Sequence, residues 1–393
     1  MNRKRLSVML AGLIICILGI YVTAAGSSRI WREMKASLVQ EIQDGAEKLY
    51  LPGMTYREST EEKVPAKEWL TKMAMNIIPL GSYVEQKKSG ALAVEDEATY
   101  EMLAKMQAED ENEVDESGKL IGEDTSAETK PEPVKAELSM EKLKDFEYLT
   151  GHFYTVDSVT YVNPEDLNAE KLMAKDMRIS TKKNGPKVLI FHTHSQEKFK
   201  DSGKGADTGI VGVGQILTDL LNDKYGIPTM HHEGVYDLIG GKLDRSEAYE
   251  RARPEIEKIL RENPSIEVVI DLHRDGVRES THLVTEVNGK QTAQIMFFNG
   301  MCRTRANGDL SGMLNPYIKD NLAFSMQMKI AAEQKYPGFT RRNYLKGYKY
   351  NMDLMPKMLL VEAGAQTNTV EEMRNAMEPL ADLLHEVLTG AEK

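Results

Sequence analysis

From about residue 183 onward, short unbroken apolar runs alternate with stretches of helical periodicity. Lys187-Val188-Leu189-Ile190-Phe191, behind the breakers Asn184-Gly185-Pro186, reads as a strand buried on both faces. Ile266 to Leu272 and Met358 to Val361 repeat that pattern. Between them, Val213, Ile216, Leu217, Leu220 and Leu221 keep helical spacing until Tyr225-Gly226. A second helix is expected over 247–261, although Pro254 opposes its continuity. A third over 321–334 is stopped by Tyr336-Pro337-Gly338. The last opens on the capping box Thr369-x-x-Glu372 and buries Met373, Met377, Leu380, Leu384 and Leu388. His282 to Phe298 reads as a hairpin turning at Asn288-Gly289, a favoured type I′ pair. Strand and helix in alternation imply an α/β fold, a mostly parallel sheet with helices on both faces, spanning residues 141–393.

The upstream pattern differs. Leu6 to Ala25 carries no charge and follows the basic cluster Asn2-Arg3-Lys4-Arg5. That length and polarity predict a membrane-spanning anchor over residues 1–29, with the remainder extracytoplasmic. A cleavable signal peptide is the rival, and Thr23-Ala24-Ala25-Gly26 offers it small residues. Residues 30–94 show mixed helical spacing, as at Ile30, Met34, Leu38 and Ile42, without a functional signal.

Composition sharpens this division. The chain of 393 residues is 41% hydrophobic and 28% charged, with a formal charge of −11. Between Glu95 and Leu138 stand 15 acidic residues and 4 lysines, a local −11 that equals the charge of the whole chain. With Pro131 and Pro133, residues 95–140 read as a solvated, disordered linker. No basic face is left over for a nucleic acid. Two cysteines exclude both a disulfide framework and a zinc site built on three or four thiolates.

Chemistry gathers where the strands end. The first strand runs into His192-Thr193-His194-Ser195-Gln196-Glu197, the second into Asp271-Leu272-His273-Arg274-Asp275, and the third into Glu362-Ala363-Gly364. Ligands of open α/β sheets bind at the carboxyl ends of the strands, so these segments converge on one edge. Histidine and carboxylate without cysteine form the donor set of a catalytic zinc site with one position left for water. His194 and Glu197 meet one metal from a single turn, and His273 completes the set. Glu362, as a carboxylate that is not a ligand, then acts as the general base. Arg274 is a candidate for a substrate carboxylate or for a plain salt bridge. His231-His232 lacks a carboxylate partner beyond Glu233, and His152, His282 and His385 read as structural.

Several motifs in order resemble one family. They are Val188 to Glu197 with Val211-Gly-Val-Gly214, Asn263-Pro-Ser-Ile266, Val269 to Gly276, Asn315-Pro-Tyr317, and Val361 to Asn368. Over roughly residues 150 to 390 the chain resembles the stage II sporulation protein P family. The resemblance implies a fold like that of the zinc amidase-3 class. It also implies a membrane-anchored, Zn2+-dependent peptidoglycan hydrolase of forespore engulfment. Such a protein acts as an N-acetylmuramoyl-L-alanine amidase, with endopeptidase cuts in peptide cross-links. Its expected partner is a lytic transglycosylase, stage II sporulation protein D.

Carried onto this chain, the resemblance makes His194 and His273 ligands and Glu362 catalytic. The broader class has its ligand glutamate further downstream, where this chain has Asp207 and no Glu. Glu197 takes the role, with Asp207 as the alternative. His192 is the alternative to His194, and His192 and Asp271 are otherwise expected to orient the site. The hairpin at 282–298 and the tyrosine-rich segment 341–355 are candidate walls of a groove for a polymer. Two other classes remain open, a catalytically inactive wall-binding scaffold and a metal hydrolase of small amides.

Overall fold

The computed structural model describes residues 136–391 apart from 182 and 183, together with positions 99, 102, 103 and 105. The chain divides into two compact units, 1–78 and 79–393, and every described residue lies in the second. The predicted anchor and the whole region 30–94 lie outside the described residues. No described helix is long and apolar enough to cross a membrane. Within the acidic stretch, Leu103 is buried and Thr99 accepts a hydrogen bond from Asn307 Nδ2 at 2.6 Å.

Seven strands form the main sheet: β1 Tyr154–Val156, β2 Val188–Phe191, β3 Thr229–His231, β4 Val268–Asp275, β5 Ile295–Gly300, β6 Asn343–Lys346 and β7 Met358–Ala365. Their order is β1-β6-β5-β7-β4-β2-β3. Every neighbouring pair is parallel except β5–β7. Among the described residues the four longest helices are α1 Ile210–Asp219, α2 Ala248–Glu262, α3 Ile318–Lys335 and α4 Val370–Thr389.

The central strands are largely apolar because both of their faces are covered. Val188, Ile190, Val268, Ile270, Leu359 and Val361 join the apolar layer that includes Leu217 of α1, Phe324 of α3 and Leu380 of α4. Their alternate neighbours Leu189, Phe191, Val269 and Leu360 join the opposite layer, with Tyr249, Ala252 and Ile256 of α2. The period of two along each strand thus sorts side chains between two cores.

Several elements depart from the sequence pattern in instructive ways. β4 continues past Leu272 to Asp275, and β7 continues past Val361 to Ala365. In β4 the hydrophobic run stops before the strand does, because the last side chains are polar and yet buried, while in β7 it is interrupted by Glu362 and Gly364. The hairpin is shorter than expected, Val284–Val287 with Lys290–Ala293, because Ile295–Gly300 leaves it to pair in the main sheet. Asn288 and Gly289 adopt positive φ of 51° and 76° at its tip, as a type I′ turn requires. Helix α2 runs through Pro254 without a break. Its face of Tyr249, Ala252, Ile256 and Ile259 packs on the sheet and outweighs the lost backbone bond.

The expected groove walls are spent elsewhere. Tyr344, Tyr348 and Tyr350 are buried in the layer beneath α2. The hairpin is bound to α4 through Lys290–Glu378 at 2.7 Å and Asn375 Nδ2 to Gln291 O at 2.9 Å.

The capping box of α4 forms as expected. Thr369 Oγ1 accepts from Glu372 N, and Glu372 Oε2 accepts from Thr369 N at 2.9 Å. The same carboxylate meets His282 Nε2 and Asn368 Nδ2, each at 2.9 Å. Burial alone would raise its pKa, but these bonds outweigh burial and hold it below the usual range. A depressed folded pKa contributes stability above the unfolded value of about 4.3, lost as pH falls through the folded value. Glu372→Ala is therefore expected to cost about 1 kcal/mol at pH 7. The gap to wild type should narrow below about pH 4. Urea denaturation midpoints at both pH values check this, and an unchanged gap would exclude the carboxylate charge as the cause.

Candidate metal centre

The site is built where one strand outruns its neighbour. β2 pairs with β4 only as far as Phe191 opposite Asp271. Beyond that point β4 has no main-chain partner on this side, and side chains from the segment after β2 take over. His192 Nδ1 lies 2.7 Å from Leu272 O and donates to it, and Arg274 N donates to Glu197 Oε2 at 2.8 Å. Asp271 returns the favour, its Oδ1 accepting from Thr193 N at 2.9 Å and its Oδ2 from Thr193 Oγ1 at 2.6 Å. The loop is thereby stitched to β4 through donors and acceptors that would otherwise be buried unpaired, at about 1–3 kcal/mol each.

These bonds place His194, Glu197 and His273 together. One donor atom from each lies within 4.8 Å of the other two, the single such group of three among the described residues. His194 Nδ1 is 3.5 Å from Glu197 Oε1, and His273 Nδ1 is 3.9 Å from Glu197 Oε2. The three residues are 7%, 2% and 1% exposed. His273 Nε2 faces Asp271 Oδ1 at 2.7 Å, which leaves Nδ1 toward the group. Tyr249 lies against both imidazoles, stacked on His273 and edge-on to His194.

Glu362 stands directly beside this group. The parallel register of β7 on β4 pairs it with His273. Its Oε2 is buried with no hydrogen-bond partner.

The electrostatics separate the roles of these groups. Burial pushes the His194 pKa down, favouring the neutral imidazole. Burial would also depress His273, but Asp271, Glu197 and Glu362 outweigh it and raise its pKa to about 9. Burial would raise Glu197, yet His194, His273 and Arg274 hold it at about 2. Glu362 is pushed well above the usual carboxylate range, first by burial and then by Asp275 and Glu197. Two carboxyls that influence each other electrostatically are thus driven in opposite directions by their surroundings.

Other sequence candidates fall outside the group. His192 turns away to the α1 side, where its Nε2 meets His231 Nε2 at 2.9 Å, and burial lowers its pKa to about 3. Helix α1 can press on this pair because Gly214 has no side chain; a Cβ there would lie 2.5 Å from His192 Nε2. Asp207 is exposed in a short 3-10 turn. Asp271 sits against His273, where an orienting residue was expected. Arg274 gives Nε to Lys198 O and Nη1 to Asp275 O, both at 3.0 Å, so these donors serve the backbone.

Three residues without a motif also reach the site, all from the segment after β3 or the start of α2. Asp237 accepts from Ser195 Oγ at 2.9 Å and Gln196 N at 3.0 Å. Arg245 Nη2 lies 3.6 Å from Glu197 Oε1. Tyr249 is the aromatic floor described above. The signal available was position, since β3 is parallel to β2 and its carboxyl end opens on the same edge.

Comparison with known proteins places the chain. Stage II sporulation protein P of Bacillus subtilis (strain 168) is 25% identical over 221 residues. That stretch is 52% of each protein, so the chain spans about half the length of the curated relative it matches. Among solved structures, the CwlD amidase of Clostridioides difficile in complex with the GerS lipoprotein aligns at 12% identity and a TM-score of 0.34, covering 51% of this chain and 98% of that one. The N-acetylmuramoyl-L-alanine amidase AmiC2 of Nostoc punctiforme aligns at 14% identity and a TM-score of 0.31, covering 51% and 97%. The family model for stage II sporulation protein P matches residues 67–385, about four-fifths of the sequence, and the chain belongs to that family.

Proposed function

We propose that this protein is a zinc-dependent peptidoglycan hydrolase of sporulation, an N-acetylmuramoyl-L-alanine amidase that also cleaves peptide cross-links. The observation that carries the proposal is the buried trio His194, Glu197 and His273 with the unpartnered Glu362 Oε2 beside it. Family membership supports the choice of substrate.

The donors present fit zinc. Two imidazoles and a carboxylate are a known catalytic set, and tetrahedral zinc at bonds near 2.1 Å separates its ligands by roughly 3.4 Å. His194 Nδ1 stands 3.5 Å from Glu197 Oε1, close to that, His273 Nδ1 stands 3.9 Å from the other oxygen, and one donor atom of each residue lies within 4.8 Å of the others. His194 Nε2 is buried without a hydrogen-bond partner, so this imidazole is not committed through that nitrogen elsewhere. Asp271 against His273 is the carboxylate–histidine arrangement that fixes a ligand's tautomer and orientation.

When bound, zinc supplies a Lewis acid that polarises a carbonyl and lowers the pKa of water to about 7. The protein's own residues do the rest. His194, Glu197 and His273 hold the centre. Glu362, raised in pKa by burial and by neighbouring carboxylates, becomes ionised once positive charge stands near it. It then takes the proton of the attacking water and passes it to the departing amine. Burial of the trio excludes competing solvent from the reacting carbonyl.

On this reading the apolar run Leu6–Ala25 anchors the chain in the cell membrane and residues 95–140 act as a spacer. The hydrolytic domain is extracytoplasmic, and a stage II sporulation protein D-like lytic transglycosylase trims the glycan alongside it.

Two experiments test the reading. Purified peptidoglycan is digested with the full chain, with and without a chelator, and the products are identified by mass. Stem peptides should be released from glycan, the chelator should stop release, and Glu362→Gln should lose about 10²–10⁴-fold in rate while keeping its zinc. Cleaved cross-links in the same digest establish the endopeptidase. Wall binding without any cut, even on glycan trimmed by a transglycosylase, would leave a scaffold instead. Separately, Asp271→Asn should weaken zinc binding about 10–100-fold in chelator competition; equal affinity would remove Asp271 from the centre.

A further inference from the structure

The segment from His192 to Glu197 carries two of the candidate ligands, and its residues are held from two sides. The β4 side takes three of them. His192 gives Nδ1 to Leu272 O, Thr193 gives N and Oγ1 to Asp271, and Glu197 accepts from Arg274 N. Asp237 takes the two residues that separate the ligands. Its Oδ1 accepts from Ser195 Oγ at 2.9 Å and its Oδ2 from Gln196 N at 3.0 Å. His194 is the exception, with its Nε2 buried and without a hydrogen-bond partner.

Asp237 is itself anchored from behind. It is fully buried at the root of a short hairpin, Leu238–Ile239 with Lys242–Leu243. Asp244 N donates to Asp237 O at 2.8 Å and closes that hairpin. Arg251 of α2 gives Nε to Tyr236 O at 2.6 Å and Nη2 to Asp244 O. The carboxylate thus connects α2 to the turn between His194 and Glu197. The neighbouring buried aspartates face charged or titratable groups, Asp275 with Arg341 and Asp271 with His273. Asp237 instead directs one oxygen to each of two consecutive residues of the turn. Two donors there need two acceptors, which a carboxylate has and a side-chain amide lacks. Its buried charge is costly alone and is offset when a dication stands nearby.

We propose that Asp237 is a positioning residue for the metal: it presets the spacing of His194 and Glu197 and adds negative charge beside them. The role rests on the zinc centre of the hydrolase reading. Without Asp237 the turn keeps its attachments to β4 at His192, Thr193 and Glu197 and loses those at Ser195 and Gln196. His194 and Glu197 then no longer start from a fixed backbone. Ligands that must be ordered when the metal arrives bind it less tightly than ligands held in place beforehand.

The test reads zinc affinity of the folded full chain by chelator competition, with urea denaturation of the zinc-free protein alongside. Asp237→Ala is expected to hold zinc about 10–100-fold less tightly than wild type. Asp237→Asn keeps one acceptor and loses the charge, so its affinity should fall between the two. Asp166→Ala, which breaks a buried ion pair with Arg303, is the control. It should lower stability and leave zinc affinity at the wild-type value. Unchanged zinc affinity in Asp237→Ala would overturn the proposal and leave a residue that only supports the turn. Equal loosening in Asp166→Ala would also overturn it, because lost stability alone would then explain the effect. If Asp237→Ala does not fold, Asp237→Asn carries the same comparison. Wild type that binds zinc but cuts no peptidoglycan removes the hydrolase reading and leaves the role of Asp237 standing, whereas wild type that takes up no zinc removes both.

Discussion

The candidate centre depends on one unfinished ladder. β4 extends four residues past the end of its pairing with β2, and a buried strand cannot leave its carbonyls and amides unanswered. His192 and Glu197 answer them, at Leu272 O and Arg274 N. The same two bonds that complete the backbone fix the loop between them, and His194 lies in that loop. Glu197 is thus held by one oxygen through the main chain while the other faces His194 and Arg245. Structural satisfaction and placement of the chemistry are a single event here.

A second consequence is the concentration of charge in a buried place. Glu197, Asp271, Asp275 and Glu362 approach one another with His273, Arg245, Arg274 and Arg341 interleaved. Isolated, each would carry a heavy desolvation cost; together they are offset in pairs, Asp275 by Arg341 and Asp271 by His273. Glu362 is the member whose buried oxygen has no partner, and its pKa rises accordingly. A group raised by its surroundings and aimed beside a ligand cluster is the kind of residue that moves protons.

The layers on either side serve this edge in different ways. On one face, α1 presses against the His192–His231 pair through Gly214 and backs the loop. On the other, α2 brings Tyr249 against both candidate ligand histidines, supported in turn by Tyr348 and Tyr350. The tyrosines that read as a groove wall are the packing beneath the site.

The sequence by itself determined the α/β class, the central strands β2, β4 and β7, the turn at Asn288-Gly289 and the capping box, because each rests on local spacing or on residues within a few positions. It also determined at which edge the candidate residues gather, since His194, Glu197, His273 and Glu362 follow runs that read as buried parallel strands. Tertiary structure alone decided the rest. The true end of β4 was hidden because its last side chains, His273, Arg274 and Asp275, are polar, and that of β7 because Glu362 and Gly364 interrupt its apolar run, neither of which the hydrophobic pattern can register. That His194 joins the close group while His192 meets His231 depends on which side of an unpaired strand edge each ring takes. Arg245, Asp237 and Tyr249 reach the centre only because β3 is parallel to β2, and no spacing in the chain encodes a contact that long-range pairing creates.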